Sequence, residues 1–91
     1  MIRLNCFLKV QENHREDVIA AARKLVEESL KQDGCIAYDF FESTTRKDVM
    51  MFCETWRDQK ALDAHADSAA FIEGAAELSK YGEMKIEKFL F

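Results

Sequence analysis

The chain has 91 residues, 48% of them hydrophobic, which is enough for one small core, and we expect residues 1–91 to form a single domain. A formal net charge of −4 argues against nucleic acid as a partner, because phosphate binding requires a basic surface. No apolar run is long enough to cross a membrane. Arg3, Asn5 and Lys9 interrupt the N-terminal segment, so no signal peptide is expected.

The cysteine content indicates a reducing compartment. Cys6, Cys35 and Cys53 are odd in number and widely spaced. This pattern is more typical of reduced thiols than of a disulfide framework, and we expect a cytoplasmic protein.

The N-terminal third predicts a strand followed by a helix. Residues Ile2–Val10 alternate, with Asn5 on the more polar face. Asn13 and Glu16 have the spacing of a capping box, and the apolar stripe that follows extends to Leu30. Gly34 is expected to stop this region.

Two further strands are predicted, Cys35–Glu42 and Val49–Trp56, joined by a polar turn. The second of these is the most apolar strand in the chain, and we expect it to be buried on both faces.

The last third predicts two helices and a strand. Asp58 is expected to cap a helix over Gln59–Ala66, and Ser68 a helix over 69–80. Alternation then predicts a strand over 83–91.

The order β-α-β-β-α-α-β predicts an α+β, ferredoxin-like split βαβ fold with a four-stranded antiparallel sheet and helices on one face. We expect the first and third strands to be central and parallel to each other. The uncovered face of the sheet predicts a homodimer formed through that face.

His65 and Asn5 are the candidate catalytic residues. His65 lies on the apolar side of its helix and has the pKa class that suits proton transfer, although such a histidine can also be a core residue. Asn5, within a central strand, could donate a hydrogen bond to a developing oxyanion or simply bond to a neighbouring side chain.

Three more residues are candidates for binding a substrate. Trp56 could stack on a flat molecule, although sealing the core is the commoner role of a lone tryptophan. Tyr38 could donate a proton or line a pocket, and its alternative role is packing. Glu54 shares a face with Trp56, and could orient a catalytic group or pair with a basic residue at the sheet edge.

The sequence shows no motif for a cofactor. It contains neither C-x-x-C nor H-x-x-x-H, so no metal site is expected. It also lacks a glycine-rich phosphate loop, so no nucleotide, flavin or nicotinamide is expected.

The chain resembles the antibiotic biosynthesis monooxygenase superfamily. The similarity lies in G-C-I-x-Y-D at 34–39, E-T-W-R-D at 54–58, A-L-D-A-H at 61–65, and Phe71. It implies a dimeric α/β barrel and a cofactor-free monooxygenase that oxidises quinols, anthrones or similar phenols with O2. It also implies His65 as proton acceptor, Asn5 as donor to the anion, and Trp56 with Phe71 as flat walls.

Three other branches of that superfamily are alternatives. Haem-degrading members also carry an asparagine on the first strand, but their iron ligand is a histidine on the later helix, where this chain has none. Isomerases of a phosphorylated autoinducer-2 sugar would need cations, for which Arg3, Lys9 and Arg57 are available. The third alternative is a non-catalytic dimeric binding module.

Overall fold

The computed structural model describes residues 1–91 as four strands and three helices in the order β-α-β-β-α-α-β, which confirms the predicted ferredoxin-like α+β fold. The elements are β1 (Ile2–Val10), α1 (Arg15–Ser29), β2 (Cys35–Glu42), β3 (Val49–Trp56), α2 (Gln59–Ala66), α3 (Ala69–Ser79) and β4 (Gly82–Leu90). The first three strands and α2 have the predicted bounds. The third helix ends one residue early, and the last strand starts at Gly82.

The strands form one sheet in the order β2-β3-β1-β4, and every neighbouring pair is antiparallel. The expectation that β1 and β3 are parallel is wrong, because Ile2 lies opposite Trp56 and Lys9 opposite Val49. The crossover through α1 makes β2 run in the direction of β1. The following hairpin reverses the chain, and β3 enters between these two strands, so it is antiparallel to both.

The core lies between the helices and one face of the sheet. Alternate residues of β1 and β3 point towards the helices, and each is 8% exposed or less: Ile2, Leu4, Cys6, Leu8, Val10, Met50, Phe52, Glu54 and Trp56. The prediction that β3 is buried on both faces is wrong in part, since Val49, Met51 and Cys53 are half-buried. All three helices pack on one side, so within one chain the opposite face has little cover.

Capping side chains fix where α2 and α3 begin. Asp58 accepts a hydrogen bond from the backbone N–H of Ala61 at 2.8 Å, and Ser68 accepts one from Phe71 at 3.2 Å. Both caps were predicted. The predicted capping box at Asn13 is not formed, because a short 3-10 turn over Glu12–His14 precedes α1 and moves the helix start to Arg15.

The sheet face away from the helices carries large apolar side chains. Phe7, Phe41 and Phe89 are 37%, 49% and 47% exposed, respectively, on β1, β2 and β4. We call this surface the open sheet face. None of the helices combines the length and the hydrophobicity needed to cross a membrane.

Candidate active site

His65 lies in the interior, between α2 and the sheet. The Asp58 cap starts α2, and about two turns later the helix turns His65 inwards, four residues after buried Ala61. The side chain is 2% exposed. The sequence predicted this inward position from the apolar side of the helix.

Three aromatic rings surround His65. The ring centroids of Trp56, Phe71 and Tyr38 lie 4.5, 5.0 and 5.4 Å from that of the imidazole. These rings come from β3, α3 and β2, so four separate elements meet at this point. We call Tyr38, Trp56, His65 and Phe71 the His65 cluster. The structure therefore brings together four of the residues that the sequence singled out.

The two nitrogens of His65 have different surroundings. Nδ1 lies 2.7 Å from Oε1 of Gln32, whereas Nε2 is buried and has no hydrogen-bond partner. Burial lowers the pKa of His65 to about 4, so the imidazole is neutral near pH 7. A neutral, unpartnered nitrogen in a dry environment can accept a proton from a bound molecule.

Gln32 was not predicted as a site residue. It lies in the short connection between α1 and β2, where the sequence has no periodicity and no motif that would mark it. Only the folded chain places it beside His65, which is 33 residues away.

Glu54 is buried next to the His65 cluster, at 3% exposure. Its Oε1 accepts a hydrogen bond from Nε1 of Trp56 at 2.9 Å, and the Cys6 thiol donates weakly to Oε2 at 3.8 Å. Burial raises the pKa of Glu54, while the hydrogen bonds from Trp56, Tyr38 and Cys6 oppose that rise. Pairing with a basic residue was one expectation, but the hydrogen-bond partners are these neutral donors, because no cation lies near this part of the central strand.

Cys6 and Tyr38 remain protonated at neutral pH. Burial, followed by the nearby Glu54 carboxylate, raises the pKa of the Cys6 thiol to about 12. The same two causes raise the pKa of the Tyr38 phenol above its ordinary value. The groups that can act as a base are therefore His65 and the Glu54 carboxylate, and of these two only His65 borders a cavity.

Asn5 lies on the open sheet face, away from His65. It is opposite Cys53 of β3 and Glu87 of β4, and it is half-buried. Its neighbours Leu4 and Cys6 point towards the helices, and successive side chains of a strand point to opposite faces. The sheet therefore separates Asn5 from His65 within one chain.

A cavity of about 310 Å³ borders His65. It is lined by Gln32, Asp33, Arg57, Lys60, Ala61, Ala64, His65 and Ser68. Arg57 donates to Asp33 at 3.2 Å and to Asp58 at 3.3 Å, and holds the pKa of Asp33 below its usual range. The arginine is thus already neutralised by acids.

The cations considered for a phosphate site do not all lie together. Arg3 and Lys9 lie on the open sheet face with Asn5, whereas Arg57 borders the cavity together with Lys60. No three His, Cys, Asp or Glu side chains are close enough to hold a metal ion together.

The chain belongs to the antibiotic biosynthesis monooxygenase family, whose sequence profile matches residues 1–77. This result agrees with the fold, and with the resemblance carried by Gly34, Trp56 and His65.

Similar proteins come from several organisms. A Bacteroides thetaiotaomicron structure, described as a conserved protein of unknown function and possible oxidoreductase, is 51% identical, with a TM-score of 0.96 over 99% of this chain and 96% of that one. The Bacillus subtilis protein named "Putative monooxygenase YcnE" is 32% identical over 78% of this chain and 75% of its own length. The uncharacterized Synechocystis protein sll1783 is 35% identical over 89% of this chain, which spans 58% of that protein's length.

Proposed function

We propose that this protein is a cofactor-independent monooxygenase that oxidises a quinol, an anthrone or a similar phenol with O2. The observation that carries the proposal is the neutral, buried imidazole of His65. Its Nε2 has no partner, and the residue both lies among aromatic rings and borders a cavity. The family and the name of the Bacillus subtilis relative support the same class of reaction.

In the proposed reaction, His65 accepts the acidic proton of the substrate at Nε2. The resulting electron-rich anion reduces O2 directly, so the protein needs no redox cofactor. For an anthrone, the CH2 group becomes C=O and its four electrons reduce O2. One oxygen atom stays in the product, and the other leaves as water with the two hydrogens.

The other residues of the site would shape the pocket. Trp56 and Phe71 pack against His65 but do not themselves line the cavity, and we propose them as the flat walls that an aromatic substrate meets at His65. Glu54 holds the indole of Trp56 in place through its hydrogen bond. The Tyr38 hydroxyl stays protonated and is hydrogen-bonded to Glu54, so as the candidate donor to the anion it would exchange Glu54 for the substrate oxygen. Asn5 is left out of this role, because it lies on the other face of the sheet.

We also propose that two copies pair through the open sheet face. Phe7, Phe41 and Phe89 expose apolar area there, and a second copy would remove it from water. The three cysteines are free thiols, which supports a reducing compartment such as the cytoplasm.

Oxygen uptake by the purified, metal-stripped protein tests the proposed reaction. A panel of hydroquinones and anthrones would be compared between wild type, His65→Ala and His14→Ala, the last being a matched control at the other histidine. We expect uptake above background that falls by roughly 100-fold or more in His65→Ala and is unchanged in His14→Ala. Ligand-induced stabilisation without uptake would instead indicate a binding module.

A further inference from the structure

We propose that Gln32 is a positioning residue, which holds His65 in the tautomer with its proton on Nδ1 and so leaves Nε2 as the proton acceptor. The inference rests on the proposed function, because it assigns a purpose to the acceptor in that reaction. It is carried by a chain of hydrogen bonds that joins Ser68, Gln32 and His65.

The donor and acceptor roles along this series of hydrogen bonds are set at Ser68, between the end of α2 and the start of α3. The Ser68 hydroxyl donates to the backbone carbonyl of His65 at 2.6 Å. A carbonyl oxygen can only accept, so the single hydroxyl proton is used there. Towards its other neighbours Ser68 must accept, and it does so from the backbone N–H of Phe71.

The Ser68 acceptor then orients the amide of Gln32. Nε2 of Gln32 donates to Oγ of Ser68 at 3.1 Å, because a serine oxygen whose proton is already used needs a donor opposite it. The amide oxygen is consequently turned towards His65, at 2.7 Å from Nδ1. A flipped amide would place two acceptors against each other at Ser68.

The amide oxygen in turn fixes the imidazole tautomer. An amide oxygen has no proton, so Nδ1 of His65 must be the N–H donor. A neutral imidazole carries one proton, so Nε2 holds the free lone pair. Nε2 is also the nitrogen that is buried without a hydrogen-bond partner. The orientation of the imidazole ring is therefore maintained by the groups that contact its Nδ1 side.

The imidazole nitrogen chemical shifts measure the tautomer directly. We would record ¹⁵N NMR spectra in a His14→Gln background, in which His65 is the remaining imidazole. The expected spectrum shows Nδ1 protonated and Nε2 unprotonated near pH 7.5. A protonated Nε2 in the neutral ring would overturn the inference, whatever the activity of the protein.

Two substitutions of Gln32 test whether this residue sets the tautomer of His65. Gln32→Met removes the acceptor at similar length, so the Nδ1–H preference should shift towards a mixture of tautomers. Gln32→Glu keeps an acceptor, so the preference should remain while the new charge raises the pKa of His65. An unchanged tautomer in a folded Gln32→Met protein would contradict the role assigned to Gln32. Should Gln32→Met fail to fold, loss of the Nδ1–H form in Gln32→Glu would contradict it equally.

Kinetics with a phenolic substrate separates positioning from binding. We expect kcat of Gln32→Met to fall by roughly 10- to 100-fold with KM nearly unchanged, because the base is misoriented rather than lost. Gln59→Met, an exposed glutamine on the helix that carries His65, is the matched control and should keep wild-type kcat. A wild-type kcat in Gln32→Met would overturn the inference.

The two proposals can fail separately. The expected tautomer without oxygen uptake on any phenol would refute the proposed function and leave the role of Gln32 intact. His65-dependent uptake with Nε2 protonated in the neutral ring would refute the role of Gln32 and the choice of Nε2 as the accepting atom, and would leave the oxidation of a phenol by this protein intact.

Discussion

The imidazole of His65 lies against the indole of Trp56, with ring centroids 4.5 Å apart and ring planes inclined by 33°. The contact joins the end of a central strand to the inner side of α2. It removes the imidazole from water, which lowers its pKa, and it sets the candidate base directly beside a flat aromatic surface. Much of the expected behaviour of this protein follows from that arrangement.

Stability should fall as the pH is lowered from about 6.5 towards 4. The folded pKa of His65 is about 4 and its ordinary value is 6.5, so between these values the unfolded chain binds the proton and the folded chain does not. Between pH 7.5 and pH 5 this linkage lowers the free energy of unfolding by about 2 kcal/mol. Urea denaturation at the two pH values measures the difference.

Glu54 changes the free energy of unfolding with pH in the direction opposite to His65, because burial raises the pKa of its carboxyl in the folded chain above the ordinary value. Its contribution to stability is full at low pH and is lost as the pH rises. His65→Gln removes only the histidine part, so the drop between pH 7.5 and pH 5 should shrink by about 2 kcal/mol in that variant. An equal drop in wild type and His65→Gln would show that His65 is not buried as a neutral group.

The carboxylate of Glu54 should matter mainly as an acceptor for Trp56. Glu54→Ala leaves the buried indole N–H without a partner, and we expect a loss of roughly 1–3 kcal/mol in the free energy of unfolding. Glu54→Gln retains an amide oxygen in the same place and should lose less. Equal losses in both variants, measured by urea denaturation, would mean that the negative charge is what stabilises the fold.

Substitution by alanine should destabilise the fold at Gly34 and stabilise it at Gly74. Gly34 has φ of +80°, and an added Cβ would lie 2.4 Å from Cβ of Ala61, so Gly34→Ala should cost roughly 1–2 kcal/mol or more. Gly74 lies inside α3, with the nearest contact to an added Cβ at 3.4 Å on Leu25, and Gly74→Ala should stabilise by up to about 1 kcal/mol. Thermal unfolding of the two variants tests the pair. An unchanged unfolding temperature in Gly34→Ala would contradict the close approach of Ala61 in α2 to Gly34.

A charge on the open sheet face should prevent pairing of two copies. Wild type is expected at about twice 10.5 kDa by light scattering, and Phe7→Glu at about 10.5 kDa. Leu30→Glu, at a residue 53% exposed just beyond α1, is the control and should remain paired. A wild-type protein that is monomeric at micromolar concentration would refute the proposed dimer.

The sequence by itself determined most of the fold. Alternation predicted the bounds of β1, and apolar, aromatic and branched runs on either side of a polar turn predicted those of β2 and β3. The caps Asp58 and Ser68 predicted the starts of two helices, because these signals depend on neighbours within a few residues. The false capping box at Asn13 is the exception, since a 3-10 turn competes there with the helix start. The direction of β3 relative to β1 was missed, because strand direction depends on the path of the connections.

The tertiary structure decided which residues form the site. The helix pattern turned His65 inwards, but its contacts with Trp56, Tyr38 and Phe71 come from other elements and have no signal in local spacing. Alternation placed Asn5 on the more polar face of β1, yet only the packing of all three helices on one side shows that the sheet separates it from His65. Gln32 had no sequence signal at all, because a hydrogen bond across 33 residues depends on the meeting of two distant segments in the folded chain.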